Sequence, residues 1–317
     1  MNEGLLIIIF SYNRAMQLDC LLRSLSRHLK VEKYKVKVIY HLSGEHVEGY
    51  NLLRERYKLD ERVEFIERGS KTSFLRDKVL MFVKRKKNLE RYLKHSYLRR
   101  ANDNFKRLLE SELSASGFEY TMFLTDDGYF FQDVHIPYEV LNEISTNPSQ
   151  VSYRMYVGHN LTDCPKDLEL VNSSLKWNYY DPDLTRHWAY PFSIDATIYN
   201  SAAILRIIRP VLYHMPATLE AFVVSYCKSR HFLSIGYSPL ESNYVFVCLN
   251  RVSDLIGSAY PDILNTEFLN LKFLEGYSID FEFILPPDSN IIYPQRIILS
   301  HTSKPAIVIN GERLHSD

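Results

Sequence analysis

The run Tyr120-Thr-Met-Phe-Leu-Thr-Asp-Asp-Gly-Tyr129 is apolar, rich in strand formers, and ends abruptly in adjacent carboxylates and a glycine. A buried strand can carry carboxylates at its tip only where something compensates their charge. In open α/β sheets, ligands bind at the carboxyl ends of the strands. Asp126 and Asp127 are therefore placed to hold a divalent cation and, through it, a phosphate group.

The preceding segments supply neighbours for that strand. Leu5–Phe10 reads as a central buried strand, followed by the polar loop Ser11-Tyr-Asn-Arg14. Met16, Leu18, Leu21, Leu22, Leu25 and Leu29 then recur at helical spacing. Val36–Tyr40 is a second strand, Tyr50–Tyr57 a helix and Val63–Ile66 a third strand. This alternation predicts an α/β fold with a mostly parallel sheet and right-handed crossovers. From Phe74 to about Ser116 the spacing is helical, with a basic polar face that includes Lys84-Arg-Lys-Lys87. Beyond Asp127 the expected strands are Val151–Val157, Ile194–Tyr199, Val245–Cys248, Ile291–Tyr293, Arg296–His301 and Ala306–Ile309, with helices over Ser201–Arg209 and Thr218–Ser229. Asn160 to Tyr190 reads as a long, aromatic, irregular loop region.

Composition narrows the function. The chain has 317 residues, enough for one large domain, and no repeat or low-complexity linker marks a boundary. Lys plus Arg and Asp plus Glu both number 38, so no global field draws the chain to nucleic acid. Cys20, Cys164, Cys227 and Cys248 show no Cys-x-x-Cys spacing, which argues against a zinc site or redox pair and fits a reducing compartment. Leu5–Phe10 is too short to span a bilayer and lacks the flanks of a signal peptide.

Ser11, Tyr12, Asn13 and Arg14 sit at a strand tip, where Asn and Tyr can bond to or stack on a base and Arg14 can neutralise a phosphate. A plain β-to-α turn explains the same residues when they stand alone. In order along the chain, however, Ile7-Ile-Ile-Phe-Ser-Tyr-Asn-Arg14, Leu18-Asp-Cys-Leu-Leu-Arg-Ser-Leu25 and Thr125-Asp126-Asp127 resemble the family 2 glycosyltransferases and their relatives of GT-A fold. The resemblance covers the start to about Ser229 and, more loosely, the tail.

The resemblance implies a GT-A, Rossmann-like domain: a mixed, mostly parallel central sheet flanked by helices. Residues 1–132 would bind nucleotide-sugar and metal, and 133–317 would bind acceptor and form the tail. It implies Mn²⁺ or Mg²⁺, a nucleotide-sugar donor, and a glycan or lipid-linked glycan acceptor. Thr125 stands where the signature has its first Asp, so Asp127 becomes the principal metal ligand and Asp126 a neighbouring or ribose-side group. The base-reading Asp after the second strand is also missing. The turn is Tyr40-His-Leu-Ser-Gly44, with His41 or Ser43 as substitutes.

His301, delivered by the strand Ile297-Ile-Leu-Ser-His301, is a candidate metal ligand by the same resemblance, or else a histidine at a strand end. Glu220, after Pro216-Ala-Thr-Leu, is the candidate general base, and Asp195 a candidate contact to a sugar hydroxyl. A helix-terminal acid explains Glu220 equally well. Trp177-Asn-Tyr-Tyr180 and Arg186-His-Trp188 fit either sugar stacking or a satellite hydrophobic cluster. Arg76 is in reach of a phosphate, and the basic helix 84–107 fits a solvated face or a peripheral membrane contact on the cytoplasmic side. Two rivals remain: a sugar nucleotidyltransferase, which would want a Gly-rich basic signature near the start, and a non-catalytic nucleotide- or carbohydrate-binding relative.

Overall fold

The four aliphatic strand signals of the first half become four neighbouring parallel strands. In the computed structural model, which describes residues 4–68, 104–247, 249–250, 264–282 and 296–310, these are β1 (Leu5–Tyr12), β2 (Tyr34–His41), β3 (Val63–Glu67) and β4 (Tyr120–Thr125). β1 pairs with β2 on one side and β4 on the other, and β2 pairs with β3. Lys71, Arg76, the basic run up to residue 103, Cys248 and the strand expected over Ile291–Tyr293 lie outside the described residues.

β1 is continuously apolar because both of its faces are covered. Its alternate side chains divide between two cores: Leu5, Ile7 and Ile9 enter one, and Leu6, Ile8 and Phe10 enter the other. Each fully buried aliphatic side chain of this kind stabilises the fold by about 1.5–3 kcal/mol. The first core is capped by α1 (Ala15–His28), with α2 (Val47–Tyr57) beside it. The second lies under α3 (Phe105–Ala115).

After β4 come a short strand β5 (Gly128–Phe130), α4 (Tyr138–Thr146), β6 (Val151–Arg154), β7 (Glu169–Val171), β8 (Ser174–Asn178) and β9 (Thr197–Asn200). α5 (Ser201–Ile208) and α6 (Pro216–Arg230) close over the second core. β10 (Ile235–Pro239) and β11 (Tyr244–Phe246) follow, then α7 (Thr266–Leu274) and the small sheet β12 (Ser278–Glu282), β13 (Arg296–Ser300) and β14 (Ile307–Asn310). The main sheet has nine strands in the order β3-β2-β1-β4-β9-β6-β10-β8-β7. Only β9 and β8 run against the rest, so one mixed, mostly parallel sheet flanked by helices passes through both halves of the chain.

The aromatic stretch 160–190 is more ordered than its composition suggests. β7 and β8 form a hairpin on the sheet edge, and Arg186–Ala189 is a 3₁₀ turn. Trp177 and Trp188 are 6% and 1% exposed, pack edge to face at 5.0 Å, and are joined by a Trp177 Nε1–H bond to the Trp188 carbonyl. Gly236 on the paired strand makes room, since a Cβ there would lie 2.4 Å from the Trp177 ring. The indoles are core, and stacking on a sugar is closed to them.

β5 pairs with β11, setting Gly128 opposite Phe246, and the Val247 N–H donates to the Asp127 carbonyl. A Cβ on Gly128 would lie 1.5 Å from the buried Tyr244 hydroxyl. Tyr244 is held by edge-to-face contacts with Phe130 and Phe246 and cannot simply swing aside. Gly128→Ala is expected to destabilise the fold by about 1–3 kcal/mol through overpacking. A denaturant melt with an unchanged midpoint would contradict this.

Candidate active site

The tips of β1 and β4 are adjacent because the strands pair in register, Phe10 opposite Thr125. Asp126 is 4% exposed and turned inward. One of its oxygens accepts from the Ser11 hydroxyl and the Tyr12 N–H, both at 2.9 Å, and the other from Arg14 Nη1 at 2.9 Å. The same Nη1 donates to Asp127 at 3.0 Å. Arg14 Nε and Nη2 reach the side-chain and backbone oxygens of Asn250, at 2.9 and 2.6 Å. Tyr50 completes the cluster: its hydroxyl lies 2.5 Å from Ser11 Oγ and accepts from the Arg14 N–H.

One expectation is corrected here. Arg14 faces the carboxylates and supplies the charge that compensates them, instead of meeting a phosphate directly. Ser11 and Asp126 fasten the β1 loop, which gives Asp126 the place of a neighbouring group rather than a ribose-side one. Burial pushes the Asp126 carboxyl up, against the pull of Arg14.

Tyr12 is 38% exposed, and its ring lies parallel to that of His41 at 5.6 Å. His41 is held below the usual histidine range by burial and by Arg68, so it stays neutral near pH 7. Asn13 takes a left-handed backbone (φ 56°), which Asn tolerates better than most residues. Its side chain and Ser43 bond reciprocally, each contact 2.9 Å, so the loops after β1 and β2 brace each other.

On the other side of β4, Asp195 and Glu220 come together. The Thr125 hydroxyl donates to Asp195 at 2.5 Å, and the Ile194 N–H donates to Glu220 at 3.1 Å. Burial raises the Asp195 carboxyl well above its ordinary range, and Glu220 and Asp127 raise it further. Burial also raises Glu220, opposed by the Ile194 N–H, the Ser193 hydroxyl and the Arg154 charge. Glu220 lies past the first turn of α6, which begins at Pro216. The dipole at the helix terminus falls off within that turn, so the contact to Ile194 explains its setting better. Ala196, beside Asp195, has φ 33°, a strained value for a residue with a Cβ.

Asp127, Asp195 and Glu220 are all half-buried rather than sealed. Among the described residues, no group of three His, Cys, Asp or Glu side chains is disposed to hold a metal by itself. The donor set is a hard carboxylate oxygen at Asp127, whose side chain is 18% exposed. That fits Mg²⁺ or Mn²⁺ bound chiefly through substrate phosphates and does not fit a closed protein cage.

His301 is a further correction. Its Nε2 donates to the Glu275 carbonyl at 3.0 Å, while Nδ1 accepts from the Ser303 and Lys304 N–H groups at 2.9 and 3.0 Å. The ring therefore organises the turn after β13, and no lone pair is left for a metal. Asn250, Ser193 and Arg154 shape the site without having been singled out from the sequence. Thr125, which stands at the first position of the Asp-x-Asp pattern, donates to Asp195.

The chain is thus a mixed, mostly parallel α/β sheet with an acidic strand tip beside a polar β1 loop and a second acid pair. No protein-family model matches the chain. It is 25% identical over 234 residues to the bifunctional glycosyltransferase pgtA of Dictyostelium discoideum, covering 67% of this chain and 26% of that protein. The chain thus spans only 26% of the length of that curated relative. Among solved structures, it is similar to TarS of S. aureus, at 13% identity and a TM-score of 0.44, over 76% of this chain and 36% of that one. It is also similar to TarS 1–349 in complex with UDP, at 15% identity and a TM-score of 0.42, over 76% and 59% of the respective chains. The resemblance to glycosyltransferases read from the ordered motifs is thus matched by a curated glycosyltransferase.

Proposed function

We propose that the chain is a glycosyltransferase that moves a sugar from a nucleotide-sugar donor to a hydroxyl acceptor. The observation that carries this reading is the placement of Asp127 across Thr125 from the Asp195–Glu220 pair. One acid is set for the donor phosphates and the others for the acceptor. Residues 1–132 bind the donor, with the base on the Tyr12–His41 face beside the Asn13–Ser43 brace. Residues 133–317 build the acceptor side.

Asp127 would hold Mn²⁺ or Mg²⁺, which when bound supplies Lewis-acid stabilisation to a departing diphosphate. Glu220 takes the acceptor hydroxyl proton, and Asp195 orients a sugar hydroxyl. One displacement assisted by a carboxylate base inverts the anomeric centre. A cytoplasmic place in bacterial surface-glycan synthesis, with a glycan or lipid-linked glycan acceptor, is supported by the family 2 resemblance alone. No described helix is long and apolar enough to cross a membrane.

Calorimetric titration with a panel of nucleoside diphosphates, with and without Mn²⁺, tests the reading. Metal-dependent binding, followed by slow hydrolysis of the matching nucleotide-sugar, is expected. Metal-independent binding without turnover would point to a non-catalytic relative instead.

A further inference from the structure

Arg154 lies in β6 between β9 and β10 and is fully buried. Its guanidinium makes no ion pair among the described residues, yet it is enclosed by polar groups from one segment. Nη1 donates to the His187 carbonyl at 2.5 Å, Nη2 to the Tyr190 carbonyl at 2.6 Å, and Nε to the Thr197 hydroxyl at 3.4 Å. The rings of Tyr156 and Tyr179 cover it at 5.0 and 4.9 Å.

These donors grip both ends of the segment 187–197. Between the anchors lie Ser193, Ile194, whose N–H holds Glu220, and Asp195. The Thr197 hydroxyl passes the link on, donating to the Asp195 carbonyl at 2.8 Å. Met155, next to Arg154, donates its N–H to the carbonyl of the strained Ala196 at 2.9 Å.

A neutral side chain would pack here at a lower desolvation cost, so the retained charge calls for a reason. Asp195 and Glu220 likewise make no ion pair among the described residues. The groups facing Glu220 are Ser193 and Ile194 from the segment, Asp195 and Arg154; Tyr156, beside Arg154, also feels its charge. Arg154 thus reaches this acid pair through the backbone that carries it: the segment it grips at His187, Tyr190 and Thr197 holds both Ile194 and Asp195.

We propose that Arg154 is the positioning residue of this acid pair: it clamps the 187–197 segment at both ends and so fixes the Ile194 N–H that holds Glu220 and the Asp195 beside it. The proposal rests on the reading of Glu220 as the base.

The test compares the full chain with its Arg154→Met, Arg154→Lys and Thr197→Val variants, each checked by thermal melting. Glu220 is followed by carboxyl ¹³C NMR of glutamate-labelled protein, its signal assigned with Glu220→Gln. In Arg154→Met, Glu220 is expected to titrate higher by about one pH unit or more, as for a carboxylate losing the N–H bond that favours its charged form. In Arg154→Lys the charge remains but the planar fork is lost. Donor turnover should fall at least tenfold with nucleotide affinity retained. Thr197→Val, which cuts the hydroxyl link, should behave like Arg154→Lys.

Should Arg154→Met fail to fold, the other two variants decide. Unchanged Glu220 titration in folded Arg154→Met, or full turnover in both Arg154→Lys and Thr197→Val, overturns the proposal. An absence of nucleotide-dependent turnover in the wild type counts against the glycosyltransferase reading instead, and the titration comparison still decides the role of Arg154.

Discussion

Glu220→Gln is expected to keep donor binding and to lower transfer by about 10²–10⁴-fold, the usual worth of a positioned general base. The substitution is nearly isosteric, and its amide oxygen can still accept from the Ile194 N–H that holds Glu220 Oε1. What disappears is the capacity to take a proton. Burial raises the Glu220 carboxyl, and only its ionised form accepts the acceptor's proton. The rate should therefore climb with pH along an acid limb that lies above the ordinary glutamate range. That limb should vanish in the glutamine variant. Stopped assays of donor consumption across pH, run on both proteins, provide the measurement. A glutamine variant that transfers at the full rate would place the base elsewhere, with Asp195 the first alternative because Thr125 already orients it.

Asp127→Asn should abolish the metal-dependent part of nucleoside diphosphate binding and leave the fold intact. Two opposite unit charges 4 Å apart interact by roughly 4 kcal/mol at an intermediate effective dielectric, and a doubly charged ion exceeds this before solvation costs. That corresponds to about a thousandfold in affinity at 1.4 kcal/mol per decade. The amide oxygen can still receive Arg14 Nη1, so the loop should stay in place. Asp126→Ala provides the contrast. It removes the partner of a buried guanidinium and should lower stability by about 3–5 kcal/mol. Calorimetry with and without Mn²⁺, paired with melts of both variants, separates the two carboxylates. Unimpaired metal-dependent binding by Asp127→Asn would refute its assignment.

The sheet's first half was legible because aliphatic runs such as Leu5–Phe10 have no use outside a doubly covered strand. The meeting of Ser11–Arg14 with Asp126–Asp127 was legible too, since both motifs end strands of one parallel layer. Which carboxylate faces inward was legible only through the family resemblance. From the residues alone it depends on the pleat at the end of β4 and on where Arg14 points, and adjacent aspartates look alike in one dimension. The short strands β7 and β8 were hidden because the aromatic stretch 160–190 reads as an irregular loop, whereas Gly236 across the sheet turns Trp177 into core. His301 was misjudged because its nitrogens are used by backbone groups of its own turn. Asn250 and Arg154 belong to no local pattern, and only the tertiary structure brings them to the site.

The guanidinium of Arg14 meets a carboxylate 112 positions later in the chain and an asparagine 236 positions later. Its surroundings therefore cannot be finished while the polypeptide is still short. During synthesis the opening helix and strands can collapse early. The last side of the arginine's enclosure is delivered only when Asn250 emerges from the ribosome. Such long-range closure slows folding, because chain entropy must be given up before the contacts form. Formation of the candidate site is thus tied to synthesis of the chain as far as Asn250.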